Sequence, residues 1–224
     1  MSDDGFGQSK PFDALNTRGL MAKREYVLGL EQRADSEALS LLVECLCDES
    51  WYLRELAEGA FMRLGTAHVE VLLPLLDEGL WYTRTSVARI VGRLGERRAV
   101  PALLRLCTDP NETVVEHAQQ ALVDIGRGNG AFRLAHALHG LPPDARRARL
   151  AELARRDRPL ETRLQRMMDN DELMSAADPE AMADDHPLVR TSEEGVEWEV
   201  LTGPASSPEA GHDRTEPGGA PRPR

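Results

Sequence analysis

The chain is predicted to fold as an all-α solenoid, a right-handed superhelix of stacked helix pairs, followed by a disordered C-terminal tail. One segment occurs twice: WYLRELAEGAFMRLG at residues 51–65 returns as WYTRTSVARIVGRLG at residues 81–95. A third and more divergent copy, ETVVEHAQQALVDIG, occupies residues 112–126. A period of about 30 residues is typical of solenoids, in which each unit packs on its neighbours and adds to one long surface.

The second observation is that each copy carries a single apolar helical face. Small or apolar residues recur at spacings of three and four, as they do on the buried face of a helix. We also expect the glycine that closes each copy, Gly65, Gly95 or Gly126, to adopt the left-handed conformation that ends a helix. The apolar positions are Leu53, Ala57, Ala60, Phe61 and Leu64, then Val87, Ile90, Val91 and Leu94, then Val114, Ala118, Ala121, Leu122 and Ile125.

Another helix is predicted ahead of each copy. The segments ALSLLVECLC, VEVLLPLLDEG and VPALLRLC align so that Leu42, Leu72 and Leu103 correspond. Pro101 suits the first turn of its helix, where a missing N–H costs nothing. Pro74 lies deeper and should bend or shorten its helix. The sequence therefore predicts pairs of antiparallel helices.

The predicted organisation has three parts. A flexible N-terminus over residues 1–16 precedes the solenoid over residues 17–168, and an acidic disordered tail follows over residues 169–224. The four units are expected at about 36–65, 66–95, 96–126 and 127–156, with capping helices at Leu20–Ala34 and about Leu160–Leu173.

Charge is segregated along the chain, whose net charge is −11. Residues 1–126 carry a net charge of −7, residues 127–168 carry +6 and residues 169–224 carry −10. The polar N-terminus does not resemble a signal peptide, and no apolar run is long enough to span a bilayer. Three cysteines at no metal-like spacing fit a reducing compartment. These features predict a cytoplasmic protein without a membrane segment.

The first unit resembles a known repeat. Asp48, then Leu53-Arg54, a face of small residues and a closing Leu64-Gly65 resemble a HEAT repeat of the short bacterial kind, also found in phycobilisome lyase subunits. The resemblance extends over roughly residues 19–156.

That resemblance implies ladders between repeats. In HEAT repeats, an acid after the first helix and an arginine early in the second helix form contacts from unit to unit. The corresponding residues are Asp48 with Arg54, Glu78 with Arg84, and Asp109 with Val115, where valine replaces the arginine.

Two pairs of aromatic residues are candidates for a protein-binding site. Trp51 with Tyr52 and Trp81 with Tyr82 begin successive second helices, where they could anchor a partner peptide. The interpretation favoured for the tryptophans is packing, because large aromatic side chains are highly buried on average. Binding is expected to involve exposed residues of the same helices, namely Arg54, Glu55, Glu58, Arg84, Thr85 and Arg89.

The basic region at residues 127–168 has three readings. Clustered arginines can bind nucleic acid. The acidic body and the absence of interleaved aromatic residues argue against nucleic acid and favour a solvated helix face. In a third reading, the acidic tail covers the region and masks it from a partner.

The remaining residues predict no catalytic, cofactor or metal site. His136 and His139 lie on one predicted helix, but further ligands at suitable spacing are missing. Cys45 and Cys47 point away from each other on a helix, and Cys45 is predicted to lie in the core. GRGNG at residues 126–130 is interpreted as a turn between helices, because a phosphate loop would follow a strand.

A short motif interrupts the polar tail. VEWEVL at residues 196–201 alternates apolar and acidic residues around Trp198. It either docks on a partner, as an added strand or through Trp198, or packs back on its own solenoid.

These features predict a non-catalytic scaffold or adaptor that binds a protein partner through the surface of its second helices. Two alternatives come from resemblance. One is a bilin lyase-like protein or lyase chaperone. The other is a DNA-binding protein similar to HEAT-like alkylpurine glycosylases, in which aromatic and acidic residues lie in a basic groove.

Overall fold

A computed structural model describes residues 19–175 of the chain. Within that range the secondary structure consists of eleven α-helices and two 3-10 helices, without strands. No helix there is long and apolar enough to cross a membrane. The all-α architecture predicted from the repeats is confirmed.

The N-terminal cap and the first unit comprise three helices: α1 (Leu20–Arg33), α2 (Ser36–Cys47) and α3 (Trp51–Leu64). Asp35 begins α2 by accepting a hydrogen bond from the backbone N–H of Ala38 at 2.8 Å. This bond and the nearby Arg33 guanidinium lower the pKa of the Asp35 carboxyl. A helix therefore occupies the segment that was predicted to be helical ahead of the first unit.

The second unit has an interrupted first helix. A 3-10 helix over Gly65–Val71 is followed by the short α4 (Leu75–Glu78), and the second helix is α5 (Trp81–Leu94). The interruption falls at Pro74, which has no N–H to donate and whose ring clashes with the preceding turn. The predicted shortening is confirmed.

The third unit contains a 3-10 helix at Arg97–Ala99, then α6 (Val100–Leu106) and α7 (Glu112–Arg127). Pro101 lies in the first turn of α6, as predicted. The side chain of Asn111 begins α7 by accepting a hydrogen bond from the backbone N–H of Thr113 at 3.0 Å.

The fourth unit pairs α8 (Ala131–His139) with α9 (Pro143–Arg156), and α10 (Arg158–Met168) and α11 (Asp171–Ser175) follow. The helix predicted over about Leu160–Leu173 is therefore two helices, because α10 ends before Asp169. Helix α11 lies inside the segment that the sequence assigned to the tail.

The core follows the predicted alignment. Leu42 on α2, Leu103 on α6, and Leu72 just after the 3-10 helix of the second unit are completely buried in the core together with the apolar faces of the second helices. Cys45 is also completely buried, which confirms its place in the core.

The closing glycines differ in their role. Gly95 ends α5 in the predicted left-handed conformation, with φ 67° and ψ 32°. Gly65 also has a positive φ, 73°, but its ψ of −162° lies outside the left-handed region, so the prediction is wrong there. For Gly126 the prediction is wrong, because α7 continues to Arg127. A Cβ at position 126 would lie 2.9 Å from Cδ2 of Leu160, so this glycine allows close packing of α10 on α7.

The predictions for the N-terminus at 1–16, for the motif at 196–201 and for Trp198 lie outside the described residues.

Candidate functional site

Trp51 and Trp81 are exposed on the surface. Each is the first residue of its helix, and their exposed fractions are 66% and 47%. Leu80, next to Trp81, is 60% exposed. We call Trp51, Leu80 and Trp81 the aromatic patch.

The expectation that the two tryptophans are packed inside is wrong. The buried stripe of α3 begins at Leu53, and that of α5 at Thr83. Residues two positions apart on a helix point to nearly opposite sides. The first residue of each helix therefore faces away from the core.

The neighbouring tyrosines are half-buried and support the patch. The Trp51 and Tyr52 rings meet edge to face with centroids 5.7 Å apart, and Trp81 and Tyr82 do so at 5.6 Å. The Tyr82 hydroxyl donates to the carbonyl oxygen of Cys47, in the preceding unit, at 3.4 Å. Tyr82 therefore bridges the two units beneath the exposed tryptophans.

Arg54 also connects the first unit to the second unit. Its guanidinium donates to the carbonyl oxygens of Asp48 at 2.8 Å and Glu49 at 2.9 Å. The same group lies 4.6 Å from the centroid of the Tyr82 ring, within the range of a cation–π interaction. The Asp48 carboxylate accepts from the backbone N–H of Ser50 at 2.7 Å.

The second arginine of the ladder does join successive units. Arg84 on α5 pairs with Asp109 of the third unit, with 2.8 Å between Nη2 and Oδ2. Its Nη1 donates to the Gly79 carbonyl oxygen at 2.5 Å. In the next unit, where Val115 replaces the arginine, Arg149 on α9 donates to the Cys107 carbonyl oxygen at 3.1 Å. The alignment of second helices alone did not predict this contact of Arg149.

Two of the residues expected on the binding surface are buried. Glu58 is 5% exposed and Thr85 is 8% exposed. The Thr85 hydroxyl donates to the Trp81 carbonyl oxygen at 2.8 Å. Glu58 accepts from the Ser86 hydroxyl at 2.6 Å and pairs with Arg89 at 3.3 Å. The Glu58 carboxylate therefore joins α3 to α5, whereas the Thr85 hydroxyl bonds within α5.

The other four second-helix residues that were expected to bind a partner differ in exposure. Glu55 and Arg89 are exposed, whereas Arg54 and Arg84 are half-buried. The guanidinium groups of Arg54 and Arg84 make the hydrogen bonds and the ion pair described above.

A polar cleft of about 430 Å³ lies between α5 and α7. Arg89, Arg93, His117 and Asp124 are among the residues that line it. Burial, together with the charge of Arg89, lowers the pKa of the His117 imidazole, so that it is neutral at pH 7. The cleft belongs to the second-helix surface, by which we mean the surface lined by α3, α5 and α7.

The three thiols are poor nucleophiles. Burial raises the pKa of Cys45 to about 12 and that of Cys107 to about 11, and it also raises the pKa of Cys47. The thiolate is the nucleophilic form of cysteine, so these side chains are protonated at neutral pH.

The histidine pair has little metal-binding support. His136 lies on α8 with its ring centroid 6.1 Å from that of Phe132. Among residues 19–175, no group of three or more histidine, cysteine, aspartate or glutamate side chains is arranged to hold a metal ion.

The basic region is exposed but partly neutralised. Arg127 pairs with Asp157 at 2.5 Å, and Arg156 donates to the side-chain oxygen of Gln119 at 3.1 Å. The exposed arginines of this region are Arg127, Arg147, Arg155, Arg156, Arg158, Arg163 and Arg166.

The fold and its exposed second-helix surface define an α-solenoid, a class in which stacked helix pairs present an extended surface to other proteins. Residues 69–155 match the family described as HEAT repeats. This match supports HEAT-like repeats over that part of the chain and agrees with the resemblance drawn from the sequence. A comparison with curated proteins found no match.

Proposed function

We propose that this protein is a non-catalytic scaffold that binds another protein through its second-helix surface, with the aromatic patch as the main contact. The observation that carries the proposal is the exposure of Trp51, Leu80 and Trp81 at the starts of two adjacent helices. Clustered exposed apolar side chains mark interaction sites, and tryptophan is enriched among the residues that dominate binding energy.

Contacts between units order residues next to the patch. Tyr82 and Arg54 connect the first and second units, and each lies within three residues of a patch tryptophan in the same helix. Side chains that are already ordered lose less conformational freedom when a partner binds.

Charge around the patch suggests the chemistry of the partner. Glu49 and Glu55 lie on either side of Trp51 in the sequence, Glu78 precedes Leu80, and all three are exposed. A partner segment with apolar side chains flanked by lysine or arginine would match this surface in polarity and in charge.

The two alternative functions have less support. A lyase would need a reactive group, and the buried thiols are held in their protonated form. A glycosylase-like site would need a basic groove beside the tryptophans, whereas their flanks are acidic and would repel a phosphate backbone.

The proposal can be tested by affinity capture from cells of the source organism with quantitative mass spectrometry. The full chain is compared with the double variant Trp51→Ala, Trp81→Ala and with Val71→Ala, a change at an exposed apolar residue outside the patch. We expect the double variant to lose a partner by about tenfold or more, while Val71→Ala retains it. Equal recovery of every partner by all three proteins would overturn the proposal.

A further inference from the structure

A second concave site lies between the third and fourth units. It is a groove of about 650 Å³ whose walls come from α6, α8 and the start of α9. Its apolar lining comprises Pro101, Leu104, Ala137, Leu141 and Ala145. This volume is within the range of about 300–1,000 Å³ found for ligand pockets.

The polar residues of the groove can carry positive charge or donate hydrogen bonds, and none is acidic. They are Arg105, Thr108, Arg133, His136, His139 and Arg149. This is unusual in a chain with 38 acidic and 27 basic residues. One wall of the groove belongs to the region at residues 127–168, whose net charge is +6.

Hydrogen bonds of Arg146, which lies beside the groove, and of Arg149, which lines it, order its walls. Arg146 donates from Nη2 to the carbonyl oxygens of His139 at 2.6 Å and Leu141 at 3.1 Å. These bonds fix the turn between α8 and α9, which forms one end of the groove. Arg149 is fixed at the wall through Cys107 and Glu152.

Arg105 can exchange its present partner for a ligand. It pairs with Asp77 at 2.7 Å, and both side chains are half or more exposed. Exposed ion pairs contribute only about 0–1 kcal/mol, so exchange of Asp77 for a carboxylate of a ligand costs little.

We propose that this groove binds an acidic peptide segment of a partner protein. Apolar side chains of the segment enter the groove, and its carboxylates face Arg105 and the neighbouring cationic side chains. The inference goes beyond the scaffold function proposed above, because the groove is formed by different helices from the aromatic patch and selects the opposite charge. Charge complementarity and the apolar lining together identify the occupant.

The test measures fluorescence anisotropy of labelled synthetic peptides added to the full chain. The probe is a peptide in which leucine and glutamate alternate four times. One control replaces glutamate by lysine, and the other replaces leucine by serine. We expect saturable binding of the leucine and glutamate peptide, weaker at high salt, and binding of both controls weaker by about tenfold or more.

Matched variants place the binding in the groove. Ala145 lines the groove, whereas Ala148 is exposed on the same helix and does not. Ala145→Trp fills the groove and is expected to weaken binding by about tenfold, while Ala148→Trp leaves it unchanged. Arg105→Gln is expected to weaken binding by about threefold, and Arg147→Gln, at an exposed paired arginine outside the groove, by much less.

Several outcomes would overturn the proposal. One is no binding of the leucine and glutamate peptide. Another is equal binding of the serine control, which would show a surface attraction between charges only. Equal binding of the lysine control would show an apolar site without charge selection. Equal effects of Ala145→Trp and Ala148→Trp would place the contact elsewhere.

Discussion

The guanidinium of Arg54 on α3 lies 4.6 Å from the centroid of the Tyr82 ring on α5. Arg54 also donates to two carbonyl oxygens at the end of α2, so one side chain connects both helices of the first unit to the second unit. The two exposed tryptophans begin the helices that this contact joins. Stability of the junction and presentation of the aromatic patch therefore depend on the same residue.

Replacement of Arg54 should weaken this junction. Arg54→Gln removes the cation–π contact and shortens the reach to the carbonyl groups, and we expect it to lower the free energy of unfolding by about 2 kcal/mol. Urea denaturation provides the measurement. Arg93→Gln, at an exposed arginine of α5, serves as control and should change the value by less than about 0.5 kcal/mol. Similar values for both variants would contradict the role given to Arg54.

The ion pair of Arg84 and Asp109 should contribute more than the pair of Arg105 and Asp77. The Asp109 side chain is almost completely buried and that of Arg84 largely so, whereas the other pair is exposed. Arg84→Met leaves a buried carboxylate without its partner, with an expected loss of about 3 kcal/mol. Arg105→Met should cost no more than about 1 kcal/mol. Equal losses in urea denaturation would show that burial does not set the difference.

Two helical glycines should respond to alanine in opposite directions. A Cβ at Gly92 would lie 2.7 Å from the Cα of Ala121, whereas a Cβ at Gly29 would meet nothing within 4 Å. Gly92→Ala forces α5 and α7 apart and should destabilise the protein by about 1–3 kcal/mol. Gly29→Ala should stabilise it by up to about 1 kcal/mol, because alanine favours the helix. Thermal denaturation distinguishes these signs, and a stabilised Gly92→Ala variant would disprove the close approach.

The buried thiols predict a loss of stability at alkaline pH. The ordinary pKa of a cysteine is 9.0, and burial raises that of Cys45 to about 12 and that of Cys107 to about 11. Above pH 9.0 the unfolded thiols lose protons that the folded thiols keep, so the free energy of unfolding falls as pH rises from there to about 11. The double variant Cys45→Ala, Cys107→Ala should lose less stability over this range than the wild type. An identical pH dependence would show that the thiols do not contribute.

Much of the fold was predictable from local patterns. The apolar spacing and the aligned leucines identified the helix pairs, and Pro74 identified the interrupted helix, because these signals act within one or two turns. The role of Gly126 was not predictable in the same way. Glycine fits at position 126 because the side chain of Leu160 approaches it closely. Leu160 lies 34 positions later in the sequence, so this contact leaves no local sequence pattern.

The candidate site was predicted less well than the fold. The sequence identified Trp51 and Trp81, but the general tendency of tryptophan to be buried led to the wrong expectation for its exposure. Glu58 is polar and was therefore expected at the surface, yet Ser86 and Arg89 satisfy its carboxylate inside. Burial of a polar residue depends on partners in another unit, and the spacing within one helix does not specify them.

Site-specific photo-crosslinking tests whether Trp51 and Trp81 contact a protein partner. A photoreactive phenylalanine derivative is placed at position 51, 81 or 71 of the full chain in cells of the source organism. We expect positions 51 and 81 to crosslink to the same protein partner, and position 71, at the exposed Val71 outside the aromatic patch, not to crosslink to it. Crosslinking at position 71 equal to that at 51 and 81, or none at 51 and 81, would contradict a binding surface centred on Trp51 and Trp81.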